Sequence, residues 1–191
     1  MIDLLQTLDE SVIVAINSWN SVFFDNIMWW VSGKFTWWPF YLLLVVFIFW
    51  QMKWKAGGMI FLLTILLITA SDQTSVHLFK ELFQRPRPSH NPVINDLLHF
   101  VNDYRGGSYG FISSHASNCF SVASFLAIIF RKKWFTLILI SWAILVSYSR
   151  LYLGVHYLSD VIAGALWGVL LSVIFYRLYK FLKRSVLSST S

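Results

Sequence analysis

His156 and Asp160 stand four positions apart, the spacing of neighbours on one helix face. A carboxylate that holds one ring nitrogen of an imidazole leaves the other free as a nucleophile and stabilises the positive charge that forms. Arg150, six residues before the histidine, adds a fixed cation suited to phosphoryl oxygens. A second imidazole, His115, follows Ser113 and Ser114 at the start of an apolar run. Hydroxyl residues there cap a helix whose free N–H groups and dipole favour an anion, and the imidazole can give a proton to a leaving oxygen near neutral pH. The third cluster is Lys80 and Arg87, with Pro86 and Pro88 stiffening the backbone around the arginine. Lysine offers a mobile point charge and arginine a planar fork, and both can face one anion. Together the three clusters have the means to transfer a phosphoryl group.

Such clusters need rigid elements to bring them together. The 191-residue chain is 57% hydrophobic and 18% aromatic, with a mean hydropathy of +0.63, which is too apolar for an ordinary soluble domain. A hydrocarbon core of roughly 30 Å calls for helices of about twenty residues. The length therefore suits one bundle without a second domain, so residues 1–191 read as a single membrane-embedded unit. Apolar runs suited to crossing lie at 37–51, 57–79, 111–130, 134–148 and 158–179. Residues 1–36 mix apolar residues with Asp3, Asp9, Glu10, Asn17, Asn20 and Asp25, a pattern of interfacial or short membrane helices. A crossing at 12–31 is the alternative, and it would move the N-terminus to the other side. The expected fold is all-α: a polytopic membrane helix bundle with about five to six transmembrane helices and an interfacial N-terminal segment.

The net charge of +6 does not point to nucleic acid, because the basic residues fall between apolar runs instead of lining one face. Lys53 and Lys55, then Arg131, Lys132 and Lys133, then Arg177, Lys180, Lys183 and Arg184 follow alternate runs, which makes those segments cytoplasmic. Alternation puts residues 80–110 and 149–157 on the opposite side, and all three clusters meet there. The N-terminus has neither the basic region nor the small-residue cleavage site of a secretory signal, so it reads as retained. Cys119, the single cysteine, excludes an intrachain disulfide and reads as a small buried hydrophobe. Asp72, inside the second run, needs a partner or a hydrated cavity, which leaves structural pairing or support of the site. His77, His90 and His99 read as loop or interface residues, and Arg85 as a solvated loop charge. The ten tryptophans suit interfacial belts.

The three clusters resemble the signature of the type-2 phosphatidic acid phosphatase superfamily: Lys, six residues, Arg-Pro; then Pro-Ser-Gly-His; then Ser-Arg, five residues, His, three residues, Asp. Residues 80–88 and 149–160 match the first and third parts without a gap. In the second part Ile112 stands for the proline and Ser114 for the glycine, while Ser113 and His115 keep their places. The resemblance spans about residues 57–180, which marks the catalytic core. It implies His156 as nucleophile, Asp160 as its orienting partner and His115 as general acid. Lys80, Arg87, Ser113, Ser114 and Arg150 would bind the phosphoryl group, without metal or other cofactor. The implied protein is an integral membrane phosphatase that hydrolyses a phosphomonoester or pyrophosphate on a lipid head group through a phosphohistidine. In a bacterium its site would face the periplasmic side of the inner membrane. Candidate substrates are undecaprenyl pyrophosphate, phosphatidylglycerol phosphate, phosphatidic acid and the phosphates of lipid A. A lipid phosphotransferase, a vanadate-dependent haloperoxidase and a noncatalytic phospholipid-binding or transport protein are the competing readings. The expected partners are the lipid substrate and the bilayer, and no pattern specifies an oligomeric state.

Overall fold

The computed structural model describes residues 2–188, with side chains described for residues 4–185. Two helices, α1 (Ile2–Ser18) and α2 (Val22–Ser32), precede the apolar α3 (Trp38–Gln51) and α4 (Trp54–Gln73). α4 runs on through a π-helical stretch, Thr74–Lys80, into the single turn α5 (Glu81–Phe83). A long loop with three short 3-10 turns then leads to α6 (Ser114–Phe130), α7 (Lys133–Tyr152) and α8 (Leu158–Ser188).

The protein is an all-α membrane bundle. Among the described residues, three helices are long and apolar enough to cross a bilayer: Trp54–Phe83, Lys133–Tyr152 and Leu158–Ser185. α3 and α6 are shorter apolar helices of 14 and 17 residues. The five apolar runs of the sequence are therefore the five apolar helices of the bundle, and the second runs past its expected end at residue 79. α6 occupies the centre, packed against α4, α7 and α8. Its serines thus meet other helices, and Ser117 Oγ lies 2.6 Å from Ser71 Oγ of α4.

Small residues decide how closely α6 and α8 approach. A β-carbon at Gly164 would fall 2.5 Å from the carbonyl oxygen of Ser113, and one at Gly168 would fall 2.9 Å from the amide nitrogen of Ser121. Away from this seam the core is aromatic and aliphatic. Phe125, Leu126, Leu139, Ile60 and Leu67 are fully buried, Phe47 stacks on Phe135 at 4.2 Å, and Trp142 tilts over Phe40 at 5.1 Å.

α1 buries Asp9, Ile13 and Asn17, one per helical turn, and leaves Leu4, Leu5 and Leu8 exposed. Asn17 clamps the first helix to the loop and to α7. Its amide donates to the carbonyls of His99 at 2.9 Å and Tyr152 at 2.8 Å, while its own oxygen accepts the His99 N–H at 2.6 Å. Asp25 of α2 finds partners in the Tyr152 hydroxyl at 2.7 Å and His99 Nε2 at 2.9 Å. His99 is therefore a loop residue that fastens α2. His77 is exposed and pairs with Glu81, and His90 is exposed beside Ser89 Oγ.

Candidate active site

Each polar cluster sits where a helix of the bundle begins or ends. The π-helical stretch widens the last turns of α4 and changes the face on which Lys80 emerges, a device that recurs at functional sites. The lysine Nζ donates to Ser114 Oγ at 2.6 Å. Arg87 lies on a loop held by backbone pairing: its amide reaches the Ser108 carbonyl at 3.3 Å, and Gly110 N–H reaches the Arg85 carbonyl at 2.9 Å. Gly110 has to be glycine here, since a β-carbon would fall 2.9 Å from Asp160 Oδ2 and 3.3 Å from Arg87 Cγ.

The sequence spacing places His156 and Asp160 one turn apart on a helix, but α8 begins only at Leu158. The pair instead meets across the tight turn that joins α7 to α8, where Gly154 takes a positive φ of 68°. Asp160 Oδ2 accepts the Tyr157 N–H at 3.0 Å and lies 3.5 Å from His156 Nδ1. That separation is longer than a hydrogen bond. On the other side of the ring, Arg87 Nη1 lies 2.9 Å from His156 Nε2 and 2.9 Å from the Val155 carbonyl. A guanidinium can only donate, so Nε2 carries the lone pair and the ring proton belongs on Nδ1, facing Asp160.

Lys80, Arg87, Ser114, His115, Arg150 and His156 all line one cavity of about 360 Å³. The two imidazoles open to the same space. Arg150 is buried and donates to Ser32 Oγ and, at 3.1 Å, to the Tyr104 hydroxyl. Val31, Trp37, Tyr41 and Val146 give the cavity an apolar side, while Trp29, Lys34 and Tyr104 line a smaller opening of about 220 Å³ beside it. Ser113 is not among the lining residues. Its hydroxyl caps α6 by accepting the Ala116 N–H at 3.4 Å, and its amide donates to the Asp160 carbonyl at 3.0 Å. Asp160 stands behind His156, fully buried.

Burial pushes the His156 imidazole well below its ordinary pKa of 6.5, and the charges of Arg87, Arg150 and Lys80 push the same way. The ring is thus neutral at physiological pH. Arg87 is lowered to about 10 by burial and by the Arg150 charge, and it stays cationic at neutrality. Burial raises the Tyr104 phenol, but the adjacent Arg150 guanidinium outweighs it, and the phenol titrates below its usual range. The arrangement suits a tetrahedral anion: three cations, a neutral imidazole with its lone pair on Nε2, and a second imidazole on the same wall.

The profile of the PAP2 superfamily matches residues 57–184. The chain belongs to the PAP2 superfamily. Lipid A 4'-phosphatase of Bacteroides thetaiotaomicron is 38% identical over 178 residues, which cover 92% of this chain and 79% of that protein. Its counterpart from Porphyromonas gingivalis is 35% identical, covering 90% of this chain and 73% of the relative. The crystal structure of a transmembrane PAP2-type phosphatidylglycerolphosphate phosphatase from Bacillus subtilis superimposes with a TM-score of 0.68 at 27% identity, over 96% of this chain and 88% of that one. The chain is an integral membrane lipid phosphatase.

This PAP2 phosphatase surrounds its three motifs with residues that have no motif of their own. Ser32, Lys34 and Tyr104 reach the cavity from α2, the following turn and the long loop. Asp72 lines the cavity and accepts from the Asn118 amide at 3.2 Å, so the two readings of that carboxylate converge. Arg85, expected to be a solvated loop charge, is instead paired: it contacts Asp160 at 2.9 Å and Asp9 at 2.8 Å. The missed signal was the pair of carboxylates, Asp9 and Asp160, on helices of a membrane bundle and each in need of a cation.

Proposed function

We propose that this PAP2 phosphatase removes a phosphate from lipid A through a phosphohistidine on His156, at the periplasmic surface of a bacterial inner membrane. Two relatives that match nearly the whole chain carry that activity in their names, and they support the substrate. The observation that carries the chemistry is His156 Nε2, which holds its lone pair on the wall shared with Lys80, Arg87, His115 and Arg150.

In the proposed reaction, the Nε2 lone pair attacks phosphorus in line with the lipid oxygen. The P–O bond breaks, His115 passes to the departing oxygen the proton that a monoanionic phosphate brings into the site, and the cations take up the phosphoryl charge. Asp160 faces the positive charge that develops on the ring. Water then attacks the phosphohistidine, His115 takes its proton and hands it to the phosphate, and the N–P bond breaks to release phosphate and leave both imidazoles neutral. Side-chain cations supply the charge neutralisation, so the reading expects no metal or other cofactor. The apolar side formed by Val31, Trp37, Tyr41 and Val146 would receive the lipid end of the substrate. In the same reading, residues 1–191 act as one unit, and α1 and α2 lie at the interface with the exposed Leu4, Leu5, Phe23 and Trp30 toward lipid.

The test is phosphate release from lipid A, phosphatidylglycerol phosphate, phosphatidic acid and undecaprenyl pyrophosphate, at matched detergent with and without chelator. Lipid A should be the fastest substrate, and chelator should have no effect. His156→Ala should lose at least roughly a thousandfold in rate while keeping its folded signal. Equal rates in the two proteins would remove His156 as nucleophile, and a preference for phosphatidylglycerol phosphate would move the substrate to that of the Bacillus subtilis neighbour.

A further inference from the structure

The Arg85 guanidinium joins the first helix to the carboxylate behind the nucleophile. Its Nη1 donates to Asp160 Oδ1 at 2.9 Å and to Ser159 Oγ at 2.7 Å, and its Nη2 donates to Asp9 Oδ2 at 2.8 Å. Asp9 also accepts the Ser159 N–H at 2.9 Å and the Ser159 hydroxyl. The guanidinium plane is backed by the Tyr157 ring, 4.1 Å away. Asp160 is fully buried and Asp9 nearly so.

These contacts divide the two oxygens of Asp160. Oδ1 belongs to Arg85, whereas Oδ2 accepts the Tyr157 N–H and faces His156 Nδ1. A fully buried carboxylate without a cation tends to protonate, and without a second anchor it can rotate. Paired with Asp160, Arg85 opposes both. It does not line the cavity that holds Lys80, Arg87 and Arg150, so it is placed to act on the carboxylate and away from the phosphoryl group. It also lines a largely apolar groove of about 750 Å³, together with Leu5, Leu8, Phe83, Phe111 and Ile162.

We propose that Arg85 is a positioning residue for the nucleophile: it keeps Asp160 ionised and turned toward His156, and Asp9 of α1 holds Arg85 in place. The inference rests on His156 being the nucleophile. It makes α1 part of the catalytic support, although that helix lies outside the span that matches the superfamily profile. Arg87, two residues on, meets the ring from the cavity side. The Arg-Pro-Arg-Pro run thus grips the nucleophile from both sides.

The test compares Arg85→Gln, Arg85→Lys and Asp9→Asn in the full-length protein, each with Asp160 intact and with Asp160→Asn. Phosphate release is read from lipid A and, in parallel, from phosphatidylglycerol phosphate. Arg85→Gln should lower kcat about thirtyfold and change KM by less than about threefold. Arg85→Lys should recover a substantial part of the rate, and Asp9→Asn should lose about threefold to tenfold. In the Asp160→Asn protein, Arg85→Gln should cost less than about threefold, because the group it acts through is already gone. Three results would overturn the proposal: an unchanged kcat, an equal loss in both backgrounds, or a raised KM with kcat intact. If Arg85→Gln fails to fold, the Arg85→Lys and Asp9→Asn cycles decide on the same criteria. Wild-type activity in His156→Ala would instead refute the nucleophile reading, whatever Arg85 does.

Discussion

His156 Nε2 accepts from Arg87 in this structure, so in the proposed reaction a phosphoryl group entering the cavity draws the guanidinium away from the ring and onto its own oxygens. In that reaction Arg87 gains an anionic partner in place of a neutral ring, and the lone pair is uncovered as the substrate binds. Because burial and three cations hold the imidazole neutral, kcat/KM should remain high as pH falls through 6.5, the ordinary histidine value. The sign follows from the depressed pKa: the reactive form is the deprotonated one, and it is lost only below the shifted value. A pH–rate profile with its acid limb at or above 6.5 would contradict this. Tyr104 tests the same electrostatics from the loop side. Tyr104→Phe removes a partner of the buried Arg150 and should lower kcat/KM about tenfold, measured with lipid A at constant pH.

The elements matter for where they start, stop and cross. The π-helical stretch ends α4 with Lys80 directed at Ser114, on the first turn of α6. The crossing of α6 with α8 sets the distance between that turn and the turn carrying His156, so Gly164 and Gly168 control the geometry of a site they do not touch. Gly168→Leu should lower the thermal midpoint in detergent, at a cost of roughly 1–3 kcal/mol for overpacking, and should reduce activity along with it. Full activity at an unchanged midpoint would show that the helices can separate without disturbing the site. α1 and α2 add a different kind of constraint. Asn17, Asp25 and His99 form a polar clamp under the long loop, which explains how a loop of many residues keeps Arg87 and Tyr104 in register.

At the scale of the whole molecule, the clusters of lysine and arginine follow α3 and α6 and lie in the C-terminal part of α8, and the cavity is lined at the opposite ends of these helices. If the basic ends are cytoplasmic, Ser108→Cys in intact cells should react with a membrane-impermeant thiol reagent, and Arg131→Cys should be protected. The reverse pattern would turn the site toward the cytoplasm. Both positions are exposed, and the native Cys119 is buried, so the background should be low.

The five apolar helices and the residues lining the cavity at Lys80, Arg87, Ser114, His115, Arg150 and His156 were legible from composition and spacing, because a helix needs a continuous apolar run and a motif is written in consecutive residues. Those signals are local. That Arg85 pairs with Asp9 and Asp160, that Ser32 and Tyr104 hold Arg150, and that Ser113 caps α6 without lining the cavity depended on contacts between elements far apart in the chain. A side chain's partner is chosen by packing and by the need to satisfy every buried charge, and neither leaves a periodic trace in the sequence. The sequence by itself determined a membrane bundle with a phosphoryl-directed set of cations and imidazoles. Only the tertiary structure decided which of its charges face the cavity and which stand behind His156, since that choice is made where helices meet.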